Sequence, residues 1–584
     1  MDGFYTGSIV ANFSPWIARI ARSLTIAALP VLNLAGFATF AIYAGNTSEF
    51  GASYPALIAV ILPYAAMLIF VLAVPGLLLN DRGRSRYESL LCAFAILLWI
   101  QGSILLWNYG VFDGSSINWL EGAWRGMLDT ALWLVVILLA IYQFERLGRG
   151  FLYAAIATVL IQSVSVITEL SGDSQILQAR DSGSNIDGRT AAMRFSSTNN
   201  IVHIVMDGFQ SDIFAAIVAD SRERDFKREL RGFTYFTKNV GAYPYTQLTL
   251  PAMLSGQMFA NEIPVDDFVA AAMQGPTIIN SAADAGYEVD IAAPIALKNV
   301  YAMGAHTNAF GIATNNHVTE QDITVIHAAK LVDLALFRTL PHFGKALVHR
   351  DELWVFQAKV QSSTYLHLQY FADLDFLQDM AVEMTADRAT PVYKMIHVML
   401  SHRPIVGNER CEFDGRKLET RKSVTTHAQC GFVEVLNVLQ RMKDLGIYDS
   451  SLIVLMADHG AWTPVENFES KTKFGPLEVG MATPTLAIKP PNAKHPFQES
   501  LSPTAITDVP TTIADLAGID VDLGGESAFE IAEGAQRRRR HVTYGYGRNP
   551  AAEGYLFPMQ EWIVNGDPYL AESWAKGERY LPAK

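Results

Sequence analysis

Charge is scarce in this chain of 584 residues: only 18% of it is Asp, Glu, Lys or Arg, while half is apolar. Soluble globular domains carry roughly a quarter charged residues, so a protein bathed in water along its whole length is excluded. The shortage is local. The first third holds few acids and bases, whereas the remainder has the composition of a water-soluble domain long enough for one large core. Basic surface is also missing. The net charge is −13, and without a basic stripe the electrostatic footprint of a nucleic-acid binder is absent. The one basic run, Arg537 to Arg540, reads as a solvated face or loop, with acidic lipid headgroups as the alternative. Cysteine is rarer still, with three residues. That excludes a disulfide scaffold, and the spacing is not that of a structural zinc site. Cys92 lies within an apolar run and reads as a small core residue. Cys411 and Cys430 stand in the polar part, where an oxidising compartment permits a bridge but spacing alone leaves it open.

What the chain has in excess is long apolar sequence. Five runs, Leu24 to Ala44, Tyr54 to Leu79, Leu90 to Trp107, Met127 to Phe144 and Phe151 to Ile167, each approach the ~20 residues that cross a bilayer core. The first lacks a small-residue cleavage site and is followed by four more, so it reads as a span rather than a signal peptide. Arg19 and Arg22 precede the first run, Arg82, Arg84 and Arg86 the third, and Arg146 and Arg149 the fifth. These mark cytoplasmic ends. The connections with Glu49, and with Asp113 and Glu121 against a single Arg125, are then external. Five crossings from an inside start deliver the rest of the chain outside. Residues 1–168 are expected to form a five-helix membrane anchor, 169–199 a linker with room for a short interfacial helix, and 200–584 an extracytoplasmic domain.

In that domain short β-rich runs alternate with helical ones, which predicts an α/β/α sandwich. Ile201 to Met206 is a buried-strand run ending in Asp207, and Ser451 to Met456 is another, ending in Ala457-Asp458-His459-Gly460. Both put polar residues just past a strand's C-terminal end, where ligands bind in doubly wound folds. His402 follows a third apolar run that contains His397. Between them lies Tyr245-Thr246-Gln247-Leu248-Thr249-Leu250-Pro251, with Thr249 read as a helix-start cap. Singly, each has a plain reading: Asp207 as a strand-end cap, Thr246 as a turn threonine, His402 as a structural histidine. Together a hydroxyl, a distant acid and an Asp-His pair are what a metal-activated alkoxide needs.

These residues carry a resemblance. From about Asn199 to Gly518 the chain resembles the alkaline phosphatase/sulfatase superfamily, in particular membrane-anchored phosphoethanolamine transferases and lipoteichoic acid synthase-like proteins. Thr246 to Met253 is similar to the pattern Thr-Ala-x-Ser-x-Pro-Cys-Met, and Ser401-His402-Arg403-Pro404 to Ser-His-Gly-Pro. The resemblance implies Thr246 as nucleophile and metal ligand, Asp207, Asp458 and His459 as further ligands, and His402 as acid/base or phosphate ligand. It implies a divalent metal, zinc or else manganese, a membrane phospholipid donor and an envelope glycan or lipid acceptor. Phosphoethanolamine or phosphoglycerol transfer at a bacterial cytoplasmic membrane follows, with the catalytic domain on the periplasmic or extracellular side. The alternatives are a sulfatase-like hydrolase and a catalytically silent lipid-binding sensor. Two departures stand out. No His occurs between His459 and His495, where the phosphoethanolamine branch has one more, and no cysteine lies in the Cys/Ser-x-Pro-x-Arg context of a true sulfatase.

Overall fold

The structure is a computed structural model that describes residues 7–583, except 48–49, 51, 108, 110–116, 118, 121–122, 173–182, 221–223, 305–306, 313–319, 351–353, 361–368, 416, 467, 469–473 and 546–553. The acidic residues of the connections read as external, Glu49, Asp113 and Glu121, fall outside the described residues, as does the middle of the linker. The chain divides into two compact units: 1–180 with 316–364, and 181–315 with 365–584.

In the first unit four helices, Trp16–Gly45, Tyr54–Leu78, Ala123–Tyr142 and Phe144–Ser171, are long and apolar enough to cross a membrane. The remaining apolar run, Leu90 to Trp107, is helical as far as Ser103, but the charges that open its helix, Asp81 to Glu88, leave it short of that hydropathy. The arginines expected in loops lie inside helix ends instead. Arginine is a good helix former, so the helices continue past their apolar stretches. Arg22, for example, makes a two-pronged bond to Glu88 (2.7 Å and 3.1 Å) that ties the first helix to the Asp81–Ser103 helix. The segment 316–364 adds the helices Glu320–Thr339, His342–His349 and Val355–Val360 to this same unit.

The second unit holds all thirteen described strands. They are β1 (Arg194–Ser196), β2 (Asn200–Met206), β3 (Thr234–Phe236), β4 (Glu288–Pro294), β5 (Thr307–Ile312), β6 (Thr385–Arg388), β7 (Val392–Val398), β8 (Leu452–Met456), β9 (Leu486–Lys489), β10 (Gln498–Ser500), β11 (Arg538–Thr543), β12 (Met559–Asn565) and β13 (Trp574–Tyr580). Eight form one sheet in the order β10-β3-β9-β8-β2-β7-β4-β5, in which β8, β2, β7, β4 and β5 are mutually parallel. Every residue of β2, β7 and β8 is buried. Strands covered on both faces lose the apolar/polar alternation and become continuous Val, Ile and Met runs. One apolar layer takes Val202, Ile204 and Met206 from β2 and packs them on Leu377, Leu436 and Leu439 of the helices Gln369–Glu383 and Arg421–Asp444. The other takes Ile201 and Val205 and packs them on Leu250, Leu254 and Ile513 of Thr246–Ser255 and Val509–Ala517. The result is the expected α/β/α sandwich, with the C-terminal ends of β2, β7 and β8 side by side.

The run Arg537 to Arg540 is not a solvated loop. Arg538 to Arg540 open β11, whose residues alternate in burial, and Arg539 is only 2% exposed. Its guanidinium donates to the carbonyls of Lys238, Thr504 and Gly566, while Arg537 and Arg540 pair with Asp508 and Glu561. Three of the four charges are answered inside the fold, and only Arg538 of the run is exposed without an ion pair among the described residues, which does not make a headgroup patch. Cys411 and Cys430 are bonded, and Cys92 is a buried free thiol.

Candidate active site

The three parallel strand ends and one helix start deliver the polar residues to a single point. Asp207 follows β2, and its amide donates to Val398 O of β7 (2.8 Å) while its carbonyl accepts from Ser401 Oγ (2.8 Å). Gly208 then turns with φ +72°, a region costly for a side chain, and its amide donates to Asp458 Oδ1 (3.2 Å). Asp458 and His459 follow β8. A Cβ on Gly460 would stand 1.9 Å from Gly480 O, so only glycine lets the chain leave this corner. Thr246 is the first residue of its helix and points its hydroxyl at the carboxylate, Oγ1 to Asp207 Oδ2 being 3.2 Å. Thr249, expected as the cap, lies in the second turn and donates back to Tyr245 O (2.9 Å), because the helix begins three residues earlier.

All five sequence-predicted residues therefore meet. His459 Nε2 stands 3.5 Å from Thr246 Oγ1, from Asp207 Oδ1 and from Asp458 Oδ2. Asp207, His402 and His459 each bring one donor atom within 4.8 Å of the others. Two rings have fixed tautomers, since Nδ1 of His459 donates to Gly460 O (2.9 Å) and Nδ1 of His402 to Arg403 O (2.6 Å). In each ring this leaves Nε2 for the site. Burial alone would raise the Asp207 carboxyl, but His402, the hydrogen bond from His397 and His459 outweigh it and hold the group well below the usual carboxylate range.

Asp207 Oδ1 and Asp458 Oδ2 are buried and have no hydrogen-bond partner. Two such oxygens, each 3.5 Å from His459 Nε2, are costly unless a cation answers them. In a tetrahedral site with bonds of ~2.0–2.2 Å, donor atoms stand ~3.3–3.6 Å apart, which is the 3.5 Å separating His459 Nε2 from Thr246 Oγ1, Asp207 Oδ1 and Asp458 Oδ2. The donor set thus fits a divalent metal.

His397 was not singled out for a role, yet it forms a second donor group with Asp207 and Asp458. Its Nε2 lies 3.3 Å from Asp207 Oδ2, and its Nδ1 is 2.7 Å from the buried Tyr301 hydroxyl. Register is the missing signal: β7 sets His397 opposite Val205, two residues short of Asp207. Asp373 holds the following turn by accepting from the Met399 amide, and burial pushes its carboxyl up to about 7. Trp462 closes the rim, its ring 5.0 Å from that of His459 and 5.3 Å from that of His402, with the Arg403 guanidinium 3.7 Å above it. Replacing His397 by Ala is expected to weaken metal retention about 10–100-fold, the range for a group that orients a ligand. Dialysis against a graded chelator reads this out, and unaltered retention would reduce His397 to a packing partner of Tyr301.

The profile of a protein family described as Sulfatase matches residues 199–519, more than half of the chain and the whole of this site. No curated protein matches it. Solved structures with a similar chain path include the lipoteichoic acid synthase LtaP from Listeria monocytogenes, at 11% identity over 66% of this chain and 87% of that one, with a TM-score of 0.38. The phosphonate monoester hydrolase SpPMH from Silicibacter pomeroyi is 15% identical over 63% and 87%, with a TM-score of 0.39. The zinc complex of the C-terminal periplasmic domain of EcEptC from Escherichia coli is 13% identical over 62% and 92%, with a TM-score of 0.36.

Proposed function

Since the chain belongs to the sulfatase family, we propose that it is a membrane-anchored, metal-dependent phosphotransferase that moves a phospholipid head group, of phosphoethanolamine or phosphoglycerol type, through a phospho-threonine to an envelope glycan or lipid acceptor. One observation carries this reading: the Thr246 hydroxyl sits 3.2 Å from a buried carboxylate in a cation-ready donor set, in a chain that also has membrane-spanning helices. A hydroxyl nucleophile suits phosphoryl transfer, whereas sulfate-ester hydrolysis in this family needs the modified residue of Cys/Ser-x-Pro-x-Arg.

Asp207, Asp458, His459 and Thr246 would hold a zinc ion, or manganese, with His397 or His402 completing the set. Such an ion lowers the pKa of an adjacent hydroxyl and neutralises phosphate charge. Thr246 passes its proton to Asp207 Oδ2, 3.2 Å away, and attacks the donor phosphorus, forming the phospho-threonine as the bond to the diacylglycerol oxygen breaks; the proton returns when Thr246 is freed. His402, with its Nδ1 committed to Arg403 O, gives the proton carried on its Nε2 to that leaving oxygen. In the second half it takes the proton from the acceptor hydroxyl, which attacks the same phosphorus and frees Thr246. The start of the Thr246–Ser255 helix adds its positive end to the charge developing on the phosphoryl oxygens. Diacylglycerol stays in the membrane, so neither donor nor first product leaves the bilayer. The test is incubation with labelled phosphatidylethanolamine or phosphatidylglycerol, with mass spectrometry of the Thr246 peptide and of released diacylglycerol. Water as the sole acceptor would make it a hydrolase, and an unlabelled Thr246 would end the reading.

The bonded cysteines support a catalytic unit in an oxidising compartment, on the outer side of a bacterial cytoplasmic membrane. A reporter fused after Lys584 is expected to be active only outside the cytoplasm, and one inserted at Arg84 only inside. The reverse pattern would invert the topology.

A further inference from the structure

The helix His342–His349 is built inside out. Its polar residues His342, Lys345 and His349 are 1%, 3% and 0% exposed, while Phe343 and Leu347, one turn apart on a single face, are 53% and 74% exposed. A helix at a water-washed surface does the opposite. The inward groups are engaged within the same compact unit as the membrane helices. The His342 amide donates to Asp129 Oδ2 (3.0 Å), and the ring meets the Tyr109 hydroxyl (2.8 Å) and Trp119 O (3.1 Å). Lys345 Nζ donates to Phe337 O and Arg338 O. Asp129 also accepts from Gln101 (3.2 Å) and from the Trp107 indole (3.1 Å).

These contacts fix the depth of the helix. Asp129 and Gly126 belong to the membrane-spanning Ala123–Tyr142 helix, roughly 9 Å and 5 Å along it from its start. The Phe343 ring lies over Gly126 so closely that a Cβ there would come within 2.6 Å of it. The exposed face of Phe343 and Leu347 therefore adjoins the side of that span that carries Met127, 64% exposed. Trp107, Trp119 and Trp124 surround this level, as aromatic residues do where a span meets the headgroups.

We propose that this helix is a membrane-embedded element that sets Phe343 and Leu347 among the acyl chains of the outer leaflet, giving the protein a membrane contact from within the half of its sequence that otherwise builds the catalytic unit. The occupant of the apolar face is bilayer hydrocarbon, because the face is continuous with that of a spanning helix and every polar group of the segment turns away from it. The inference rests on the reading of the Ala123–Tyr142 helix as a span.

The experiment uses the full chain in a Cys92→Ala background, with a single environment-sensitive fluorophore on Phe343→Cys or Leu347→Cys, in vesicles of phosphatidylcholine and phosphatidylglycerol. Leu134→Cys, on the same span, serves as the lipid reference, and Leu418→Cys, 85% exposed in the catalytic unit, as the aqueous one. Quenching by a nitroxide on the lipid acyl chain is expected at positions 343 and 347 to at least half its extent at 134, with iodide quenching at least threefold below that at 418. Lipid quenching at 134 together with iodide quenching at 343 and 347 equal to that at 418 would overturn the proposal while leaving the span intact. No lipid quenching at 134 would overturn the span itself, and the proposal with it.

Discussion

A Thr246→Ala protein is expected to fold normally and to lose turnover by roughly a thousandfold to a millionfold, the range for removal of a covalent nucleophile. It loses one donor at 3.2 Å from Asp207 and 3.5 Å from His459, so metal should still bind, more weakly. The phospho-threonine should vanish from mass spectra. Thr246→Ser retains a hydroxyl on the same helix start and should recover part of the activity. The informative contrast is Thr249→Ala, three residues on. Thr249 is buried, and its hydroxyl donates to backbone carbonyls, Tyr245 O at 2.9 Å and Tyr243 O at 3.4 Å. Removing it costs about 1 kcal/mol of stability and should change turnover severalfold at most. Should Thr249→Ala be the dead protein and Thr246→Ala the active one, the nucleophile is one helical turn away; two fully active proteins would remove the alkoxide mechanism.

The second large effect concerns the donor set. Asp458→Ala and His459→Ala are each expected to strip the metal and abolish turnover, measured by elemental analysis of the purified protein alongside activity. The fold should survive, because the sandwich core does not depend on an ion as a zinc finger does. A further variant separates site from scaffold. Asp458→Asn keeps an oxygen for the Gly208 amide but removes one of two crowded buried carboxylates. The metal-free form of this variant should melt no lower than metal-free wild type, and higher if the two charges repel. Wild-type metal content in both alanine variants would show that the ion is held elsewhere.

Much of the site was legible because its residues follow strands that announce themselves. Ile201–Met206 and Leu452–Met456 are apolar runs closed by Asp207 and by Asp458-His459-Gly460, and such endings have few uses in an α/β sheet. His397 was not, for the same physical reason. A strand buried on both faces shows no alternation, so a histidine inside it looks like core until pairing sets it beside Asp207. Arg539 is the converse: three carbonyls distant in sequence accept from a buried guanidinium that composition assigns to solvent. The five apolar runs were legible as helices, but their ends were not, because arginine extends a helix as readily as it ends an apolar stretch. The segment 316–364 has no apolar run of spanning length, and only the structure separates its inward residues, such as Leu331 and Val348, from its outward ones, Phe343 and Leu347. Hydropathy averaged over a window sees neither facing nor partners.

The order of the central strands has a consequence in time. β2 pairs with β7 and β8, and β7 lies nearly two hundred residues further along the chain. At ~5–20 residues per second, β2 leaves the ribosome roughly 10–40 s before its first neighbour exists. For that interval an Ile- and Val-rich strand with two open edges has nothing of its own to pair with, which is the condition under which nascent chains aggregate. The strands that position Asp207 so firmly in the finished protein therefore cannot be assembled until most of the domain has been made. A cell making this protein must keep the half-made domain apart from its copies until β7 and β8 arrive.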